Sequence, residues 1–329
     1  TGRAGTVYTD IYNGNSIAEH VDTVTAGNRM PVSISHIYNS CLSDEDEAYC
    51  GLGWRMSVNQ YVRRAIIMSQ RYYIWKDGDG TEHYFEVNGD GPYSDCEGMQ
   101  LKLSLTSNWV LIKDKSDTQM RFPLMTGYEK VYLDGIQDAQ GNTMFLTYDA
   151  NYPGRVTKVK DGINRETVLS YGSNGLLSSI TAPGCPVVSF TYGGNSTTGY
   201  ILTRISYSDL SSNQYTEYSY DTYGGQQFTA TLVKIKNYDG IETRIGYDTD
   251  LDTTYIGNYT EQTRHVVSLE RVNGNVKGTK KLLTYGHMHT VIKYVSGTAS
   301  DEDGKSITYH FNNAGNVVSA HDEEWHGLA

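Results

Sequence analysis

The sequence predicts an all-β protein built from consecutive antiparallel β-hairpins, which together form one long curved or spiralling sheet. Tyrosine is unusually frequent, with 28 in 329 residues, and many of these tyrosines recur at the same place in a strand-and-turn unit. The 34 glycines punctuate segments that alternate apolar and polar residues with the period of a β-strand. Helix signals are nearly absent, because no long segment rich in Ala, Leu, Glu and Lys occurs.

The recurring tyrosines define a repeat. They are Tyr148, Tyr171, Tyr192, Tyr220, Tyr247, Tyr285 and Tyr309, separated by 23, 21, 28, 27, 38 and 24 residues. This spacing is typical of one β-hairpin per unit. A single hairpin cannot bury its apolar face alone, so we expect the hairpins to stack side by side. A tyrosine suits such a ladder, because its ring packs broadly while its hydroxyl reaches water or a backbone group.

The chain divides into two regions that differ in sequence pattern. Residues 1–135 form a non-repetitive, β-rich leading segment, and residues 136–329 form the hairpin array, continuous with the first region. In the leading segment, the turn at residues 77–80 separates two strand-like runs and predicts a hairpin. In the array, the run from Ile241 to Tyr247 alternates most cleanly between its two faces.

The array resembles the YD repeat of RHS proteins, which also occurs in teneurins and insecticidal toxin complexes. The resemblance is carried by Tyr-Asp pairs and by a following Gly-Arg: Tyr148-Asp149, Gly154-Arg155, Tyr220-Asp221 and Tyr247-Asp248. The leading segment is similar to the part of bacterial RHS proteins that precedes the repeats, through Gly51-Leu52-Gly53-Trp54-Arg55 among other signals.

The resemblance implies a sheet that spirals into a hollow shell, often around a toxic C-terminal domain. A complete shell needs more repeats than this chain shows, and the self-cleaving core of the family is not visible. We therefore expect a wall segment of a longer, secreted or cell-surface polypeptide, with the further repeats and the C-terminal domain as its partners. The alternative is a module that binds carbohydrate or a cell-surface protein through exposed aromatic residues.

Composition narrows the classes of partner. A net charge of −11 argues against nucleic-acid binding, which normally requires a basic surface. No apolar run approaches the roughly 18 residues of a membrane-spanning helix, so we expect no membrane insertion. Cys41 and Cys50 bracket an acidic loop and could close it as a disulfide in an oxidising compartment. Two unpaired thiols at the ends of a strand connection are the alternative.

No catalytic residue or cofactor site emerges from the motifs. The run that begins at Asp77 lacks the glycine and the acidic residue of a calcium loop, since Glu82 and Asn88 stand at those positions. His287 and His289 would face the same way on a strand, which permits a metal, but no third ligand is evident. His321 and His326 flank acidic residues in what we interpret as a terminal charged turn.

The tryptophans and the tyrosine ladder offer flat faces of the kind that bind sugars. Trp54, Trp75 and Trp109 are nevertheless more typical of a β-sheet core, and Trp54 stands in a glycine-rich segment. The direction in which the recurring tyrosines face therefore separates a structural module from a binding module.

Overall fold

The computed structural model describes residues 5–27, 29–41, 49–127, 129–196, 199–221, 231–248, 252–256, 259–301, 303–313 and 315–323, with the backbone alone for 252–256 and 259–263. All regular structure in these residues is β-strand, as the sequence predicts. Within the same ranges, no helix is long and apolar enough to cross a membrane.

The strands are, in chain order, β1 (Thr6–Thr9), β2 (Ser16–Val24), β3 (Ser33–Asn39), β4 (Trp54–Met56), β5 (Tyr61–Ile67), β6 (Gln70–Lys76), β7 (Glu82–Glu86), β8 (Tyr93–Ser94), β9 (Lys102–Leu105), β10 (Trp109–Lys113), β11 (Gln119–Pro123), β12 (Val131–Tyr132), β13 (Gly135–Gln137), β14 (Thr143–Tyr148), β15 (Val156–Lys160), β16 (Glu166–Tyr171), β17 (Leu177–Thr181), β18 (Val188–Asn195), β19 (Gly199–Tyr207), β20 (Tyr215–Asp221), β21 (Thr231–Lys236), β22 (Ile241–Tyr247), β23 (Asp252–Ile256), β24 (Tyr259–Thr263), β25 (Val266–Asn273), β26 (Val276–Gly286), β27 (His289–Val295), β28 (Lys305–Phe311) and β29 (Val317–Asp322).

One antiparallel sheet of 19 strands dominates the fold. Its order is β8 to β11, β13 to β22 and β25 to β29, so that sequence neighbours are almost always spatial neighbours. β23 and β24 form a separate two-stranded hairpin between β22 and β25. The large sheet runs across residues 135 and 136, and the division of the chain into two continuous regions at this point stays a prediction.

Two smaller sheets come from the leading segment. The first, which we call the leading sheet, has the order β1-β2-β3-β4, and six of the seven residues of β3 are buried. Such burial on both faces means that the leading sheet is covered on both sides. The second has the order β12-β5-β6-β7, and its β6–β7 turn is the hairpin predicted at residues 77–80. The Asp77 carboxylate accepts the backbone N–H groups of Asp79 and Thr81, so it shapes this turn.

The hairpins of the large sheet share a turn and a bulge. Some turns place Asp or Asn first and Gly fourth, as in 138–141 and 237–240, with a hydrogen bond from the glycine N–H to the first carbonyl. The pairing register shifts immediately before Tyr148, Tyr171, Tyr192, Tyr220 and Tyr247. A bulge of this kind adds one residue to the partner strand and increases the local twist, which favours a curved sheet.

The leading sheet packs against the tyrosine-bearing face of the large sheet. Trp54, at 0% exposure, contacts Tyr218 edge-to-face with ring centroids 4.8 Å apart. Within the leading sheet, Gly53 gives room to the ring of Tyr38, since its φ is +73° and an added Cβ would lie 2.7 Å from that ring. Glycine is therefore required here both for its backbone conformation and for its lack of a side chain.

We predict that Gly53→Ala destabilises the fold by about 2–4 kcal/mol, because it combines a positive φ with an overpacked core. The matched control is Gly240→Ala, since Gly240 has a similar φ of +81° but no atom within 4 Å of an added Cβ. Urea unfolding should show about 1 kcal/mol of loss for the control, from the backbone strain alone. Equal losses for the two variants would contradict the packing described here.

Candidate functional site

The recurring tyrosines form a hydrogen-bonded ladder across the large sheet. Five of them donate their hydroxyl to a backbone carbonyl 15–19 residues earlier in the chain. The bonds are Tyr148 to Leu133 (2.6 Å), Tyr171 to Val156 (2.7 Å), Tyr220 to Leu202 (2.5 Å), Tyr247 to Leu232 (3.1 Å) and Tyr285 to Val266 (2.8 Å). Each hydroxyl thus joins its own hairpin to the preceding one.

The acceptors of this ladder are not arbitrary. Val156 is paired with Tyr148 across the β14–β15 ladder, and its carbonyl accepts the hydroxyl of the next tyrosine, Tyr171. In the same way, Leu232 is paired with Tyr220 and accepts from Tyr247. In these repeats the bulge therefore sets the acceptor for the following tyrosine, which fixes the register from one hairpin to the next.

Burial raises the pKa of the ladder tyrosines above the usual value of a phenol, and Tyr148, Tyr171 and Tyr247 all show this effect. The hydroxyls consequently stay protonated at physiological pH and remain hydrogen-bond donors. They have no part in acid–base chemistry near neutrality.

The ladder is interrupted at Tyr192, where the leading segment docks. The Tyr192 hydroxyl is buried without a hydrogen-bond partner in the described part of the chain. At this rung the Leu177 N–H donates to the Tyr49 carbonyl at 2.7 Å, and the Leu52 N–H donates to the Tyr200 carbonyl at 2.8 Å. Residues 49–54, which we call the docking segment, thus lie along the ladder.

Two side chains of the leading sheet extend the same contact. The Trp54 indole N–H donates to the Tyr220 hydroxyl at 2.7 Å. The Tyr38 hydroxyl accepts the Leu232 N–H at 3.1 Å. Trp54 is therefore a core residue, as the sequence favours, and it is also the anchor of the leading sheet on the ladder.

Arg155 of the Gly-Arg marker lies close to Asp149 of the first Tyr-Asp marker, beside the ring of Tyr171. The Arg155 guanidinium lies over the rings of Tyr49, Tyr152 and Tyr171, with 3.8–4.8 Å from Cζ to each ring centroid. It also donates to the Gly175 carbonyl at 3.0 Å and lies 3.6 Å from the Asp149 carboxylate. Cation–π contacts of a largely buried guanidinium contribute roughly 1–2 kcal/mol each. Arg155 therefore links the docking segment to two repeats.

The other predicted markers have comparable structural roles. Gly154 has a φ of +79° and gives room to the Tyr132 ring, which would lie 2.6 Å from an added Cβ. Asp221 lies 3.7 Å from Arg264, and Asp248 accepts the His265 backbone N–H at 3.0 Å. Tyr309 stands opposite Thr290 in the β27–β28 pair.

A carboxylate and two imidazoles lie buried between the leading sheet and the large sheet. His20 and His36 are directly opposite each other in the β2–β3 pair, and a bulge places Asp22 beside them. His20 Nδ1 is 2.9 Å from Asp22 Oδ1, and His36 Nδ1 makes a short hydrogen bond to Asp22 Oδ2. The His36 ring stacks on Phe190 of the large sheet at 4.4 Å.

The negative charge of Asp22 and the positive charge of His36 stabilise each other. Burial alone would lower the pKa of His36, but the Asp22 carboxylate and the nearby Cys50 thiol outweigh it and raise the pKa to about 10. Burial would likewise raise the pKa of Asp22, but the two histidines bring it below its usual value of 3.8. An imidazolium and a carboxylate therefore neutralise each other inside the protein.

Cys50, His36 and Asp22 have the residue types of a nucleophilic triad, but they are sealed from solvent. Cys50 and His36 are 0% exposed and Asp22 is 4% exposed, so no substrate from outside can reach the thiol. Cys50 faces the core whereas Cys41 is exposed, and the structure does not join them in the disulfide, which was one of the two alternatives that the sequence left open. The physical reason is that the core position of Cys50 directs its sulfur towards His36.

The sequence did not reveal the Asp22 cluster. His20 and Asp22 are two residues apart and so share a strand face, which was the available signal, but His36 and Cys50 join them only through strand pairing and packing. His287 and His289 do not share a strand, although the sequence was interpreted as allowing it. His287 lies in the turn before β27, and only His289 lies on the strand, where it pairs with His310. His326 lies outside the described residues, whereas His321 lies in β29.

The comparison with known families agrees with this architecture. Residues 9–85 match DUF6531, a domain of unknown function that is found in RHS- and WapA-type proteins. A stretch of 138 residues is 27% identical to the tRNA nuclease WapA of Bacillus subtilis (strain 168), covering 42% of this chain. The chain spans about 6% of the length of the curated relatives it matches.

Solved structures overlap with the chain only loosely. The Tc holotoxin pore of Photorhabdus luminescens, which carries a mutated TccC3, overlaps 94% of this chain and 22% of its own at 9% identity and a TM-score of 0.26. A porin-like protein from Bacteroides uniformis ATCC 8492 overlaps 79% of this chain and 97% of its own, at 15% identity and a TM-score of 0.30. Scores this low carry no weight in the assignment.

The fold and its ladder define an all-β repeat protein whose hairpins are joined by tyrosines. Together with the DUF6531 match and the similarity to WapA, they support an RHS/YD-repeat protein, as the motifs predict.

We predict that Tyr171→Phe destabilises the protein by about 0.5–1.5 kcal/mol, because the variant loses a partly buried hydrogen bond to the Val156 carbonyl. The matched control is Tyr192→Phe on the adjacent rung, whose hydroxyl has no partner in the described residues, so its removal should be neutral or slightly stabilising. Chemical denaturation measures both. Equal effects would mean that the hydroxyl bonds do not support the ladder.

We also predict that the Asp22–His36 pair makes stability depend on pH. Because folding raises the pKa of His36, its imidazolium stabilises the folded state in full below pH 6.5, which is its pKa in the unfolded chain. This stabilisation is lost as the pH rises towards 10. The lowered pKa of Asp22 contributes above its unfolded value of 3.8 and is lost as the pH falls below it. The pair therefore stabilises the folded state most between pH 3.8 and pH 6.5.

Asp22→Asn should lower the free energy of unfolding by about 3 kcal/mol at pH 6, because it leaves a buried imidazolium without its anion. Its loss of stability from pH 6.5 to 10 should also be shallower than that of the wild type. Glu166→Gln is the control, since it removes an exposed carboxylate paired with Lys158 and should change stability by less than about 0.5 kcal/mol. Parallel pH profiles for wild type and Asp22→Asn would refute this account.

Proposed function

We propose that this chain is a non-enzymatic structural segment of a longer RHS/YD-repeat protein, secreted or displayed at the cell surface. Its hairpins would form part of the wall of a shell that encloses or presents a C-terminal, toxin-like domain. The leading sheet would hold the inner, tyrosine-bearing face of that wall. The partner of the chain is then the rest of its own polypeptide, with further repeats and the C-terminal domain.

The observation that carries this proposal is the use of the tyrosine hydroxyls. Five of them donate to backbone carbonyls earlier in the chain, and the leading sheet packs on the face where they lie through the bond from Trp54 to Tyr220. A sugar-binding surface needs aromatic faces and polar groups that are open to solvent. The rings of the ladder are only partly exposed and five of its hydroxyls are already bonded to the backbone, which favours a structural role over the alternative of a carbohydrate- or protein-binding module.

The chemistry of the chain supports the same choice. Cys50, His36 and Asp22 are closed to external substrates. The tRNA nuclease activity in the name of WapA would reside, in a protein of this type, in a separate C-terminal domain. A net charge of −11 also disfavours tRNA binding by this segment. We therefore propose that any toxic activity belongs to the enclosed domain and that this chain contributes containment.

Limited proteolysis of the longer polypeptide tests containment. We expect its C-terminal domain to resist protease while the shell is intact. Trp54→Ala should release this protection, because the leading sheet loses its anchor on Tyr220. Trp109→Ala is the matched control, since Trp109 is partly exposed and stacks on Arg121 away from the docking segment. Rapid cleavage of the C-terminal domain in the wild type would overturn the proposal.

The purified 36.7 kDa chain should also keep its full mass on incubation and leave tRNA intact. Mass spectrometry and gel analysis measure the two outcomes. Self-cleavage or tRNA cleavage that Cys50→Ala abolishes would show that the buried thiol is catalytic and would contradict a purely structural role.

A further inference from the structure

Three histidines lie side by side on the last three strands of the large sheet. His289 of β27 is directly opposite His310 of β28. His310 is opposite Ser319 of β29, so His321, two residues further along the same strand, is its diagonal neighbour on the same face. All three side chains are partly exposed.

The three imidazoles face away from the tyrosine ladder. Thr290, the neighbour of His289, stands between Tyr285 and Tyr309 and is buried, and its hydroxyl donates to the Ile11 carbonyl at 2.6 Å. Since successive residues of a strand point to opposite faces, His289 and His310 lie on the face of the sheet opposite the tyrosine ladder, which we call the outer face. Gly286 provides room for the His289 ring, because a Cβ there would lie 2.3 Å from its Cε1 atom.

The spacing of the rings is close to that of imidazoles on one metal ion. The ring centroids of His289 and His310 are 5.8 Å apart, and those of His310 and His321 are 5.9 Å apart. A metal held at roughly 2.1 Å from a ring nitrogen lies about 3.2 Å from the ring centroid, so two imidazoles in tetrahedral geometry have centroids roughly 5.3 Å apart. The backbone registers thus bring each neighbouring pair within reach of a common ion.

One ring also has a suitable supporting contact. His289 Nδ1 lies 3.0 Å from the backbone carbonyl of His287, so this nitrogen carries the proton and donates it to the carbonyl. The other nitrogen, Nε2, then holds the lone pair that binds a metal. Metal-binding histidines commonly have this arrangement, in which a carbonyl or carboxylate fixes the tautomer and the ring orientation.

The site still requires rotation of the His310 and His321 rings towards His289. As the side chains stand, the described residues contain no group of three His, Cys, Asp or Glu that could hold a metal. Partly exposed side chains change rotamer on a fast timescale and at small cost, so a bound ion can select the converging rotamers.

We propose that His289, His310 and His321 bind one divalent transition-metal ion of the Zn²⁺ class on the outer face of the sheet. Imidazole nitrogen is a preferred ligand of such ions, and an open fourth position would be filled by water. The ion would tie β29 to β27 and β28. It would therefore stabilise the end of the sheet against separation of its last strand.

Calorimetric titration of the chelator-treated chain with ZnCl₂ tests the site, together with thermal unfolding with and without Zn²⁺. We expect one ion per chain and a higher Tm in the presence of Zn²⁺. His310→Ala removes the central ligand and should weaken Zn²⁺ binding by about tenfold or more and abolish the Tm increase. Its Tm without metal should match the wild type, because His310 lies on the outer face.

His287→Ala is the matched control, since this exposed histidine lies in the adjacent turn and offers only its backbone carbonyl to the site. It should bind Zn²⁺ like the wild type. Zn²⁺ binding that survives His310→Ala unchanged, or that His287→Ala weakens to the same extent, would place the ion elsewhere and overturn the proposal. Absence of binding to the wild type would overturn it as well.

Discussion

The hydroxyls of five recurring tyrosines hold the fold in register, because each bonds to a backbone carbonyl 15–19 residues earlier in the chain. A long antiparallel sheet made of similar units has many near-equivalent registers, and a slip of one residue would turn its apolar face outwards. The bulge next to each of the first five tyrosines, together with the hydroxyl bond of most of them, excludes such slips. The same bulges increase twist, so register and curvature share one cause.

The leading segment completes this system at the point where it is interrupted. At Tyr192 the hydroxyl bond is absent, and the backbone of residues 49–54 takes its place with hydrogen bonds to Leu177 and Tyr200. Trp54 and Arg155 then fasten the segment to the neighbouring rungs through Tyr220 and Tyr171. The segment that precedes the repeats is therefore part of the same cooperative core, and the buried Asp22 cluster lies within that interface.

Much of the fold could be predicted from the sequence, because it depends on local patterns. Alternation along each strand, glycines at turns and the tyrosine spacing are all short-range signals, and they predicted hairpins such as β6–β7 and β22 with its neighbours. The Tyr-Asp and Gly-Arg markers were also found, although their contacts were not. The acceptor of Tyr171 lies in another hairpin, and the bulge that positions it leaves no signature in composition.

The buried and surface histidines were harder to predict for the same reason. His20 and Asp22 are local neighbours, but His36 and Cys50 reach them only through the packing of two sheets. His310 and His321 join His289 only through the pairing of β27, β28 and β29. Spacing along the chain cannot give such sites, because each depends on which strands become neighbours and in which register.

Hydrogen–deuterium exchange of the docking segment tests the central claim that the ladder and the leading segment form one unit. The amides of Leu52 and Trp54 should exchange as slowly as those of β17 and β21 in the wild type. Replacing Trp54 with Phe, which keeps an aromatic ring but removes the indole N–H and leaves a smaller side chain, should speed exchange in both regions together. Fast exchange of the docking segment while the repeat strands stay protected would contradict the claim, because the two would then open independently.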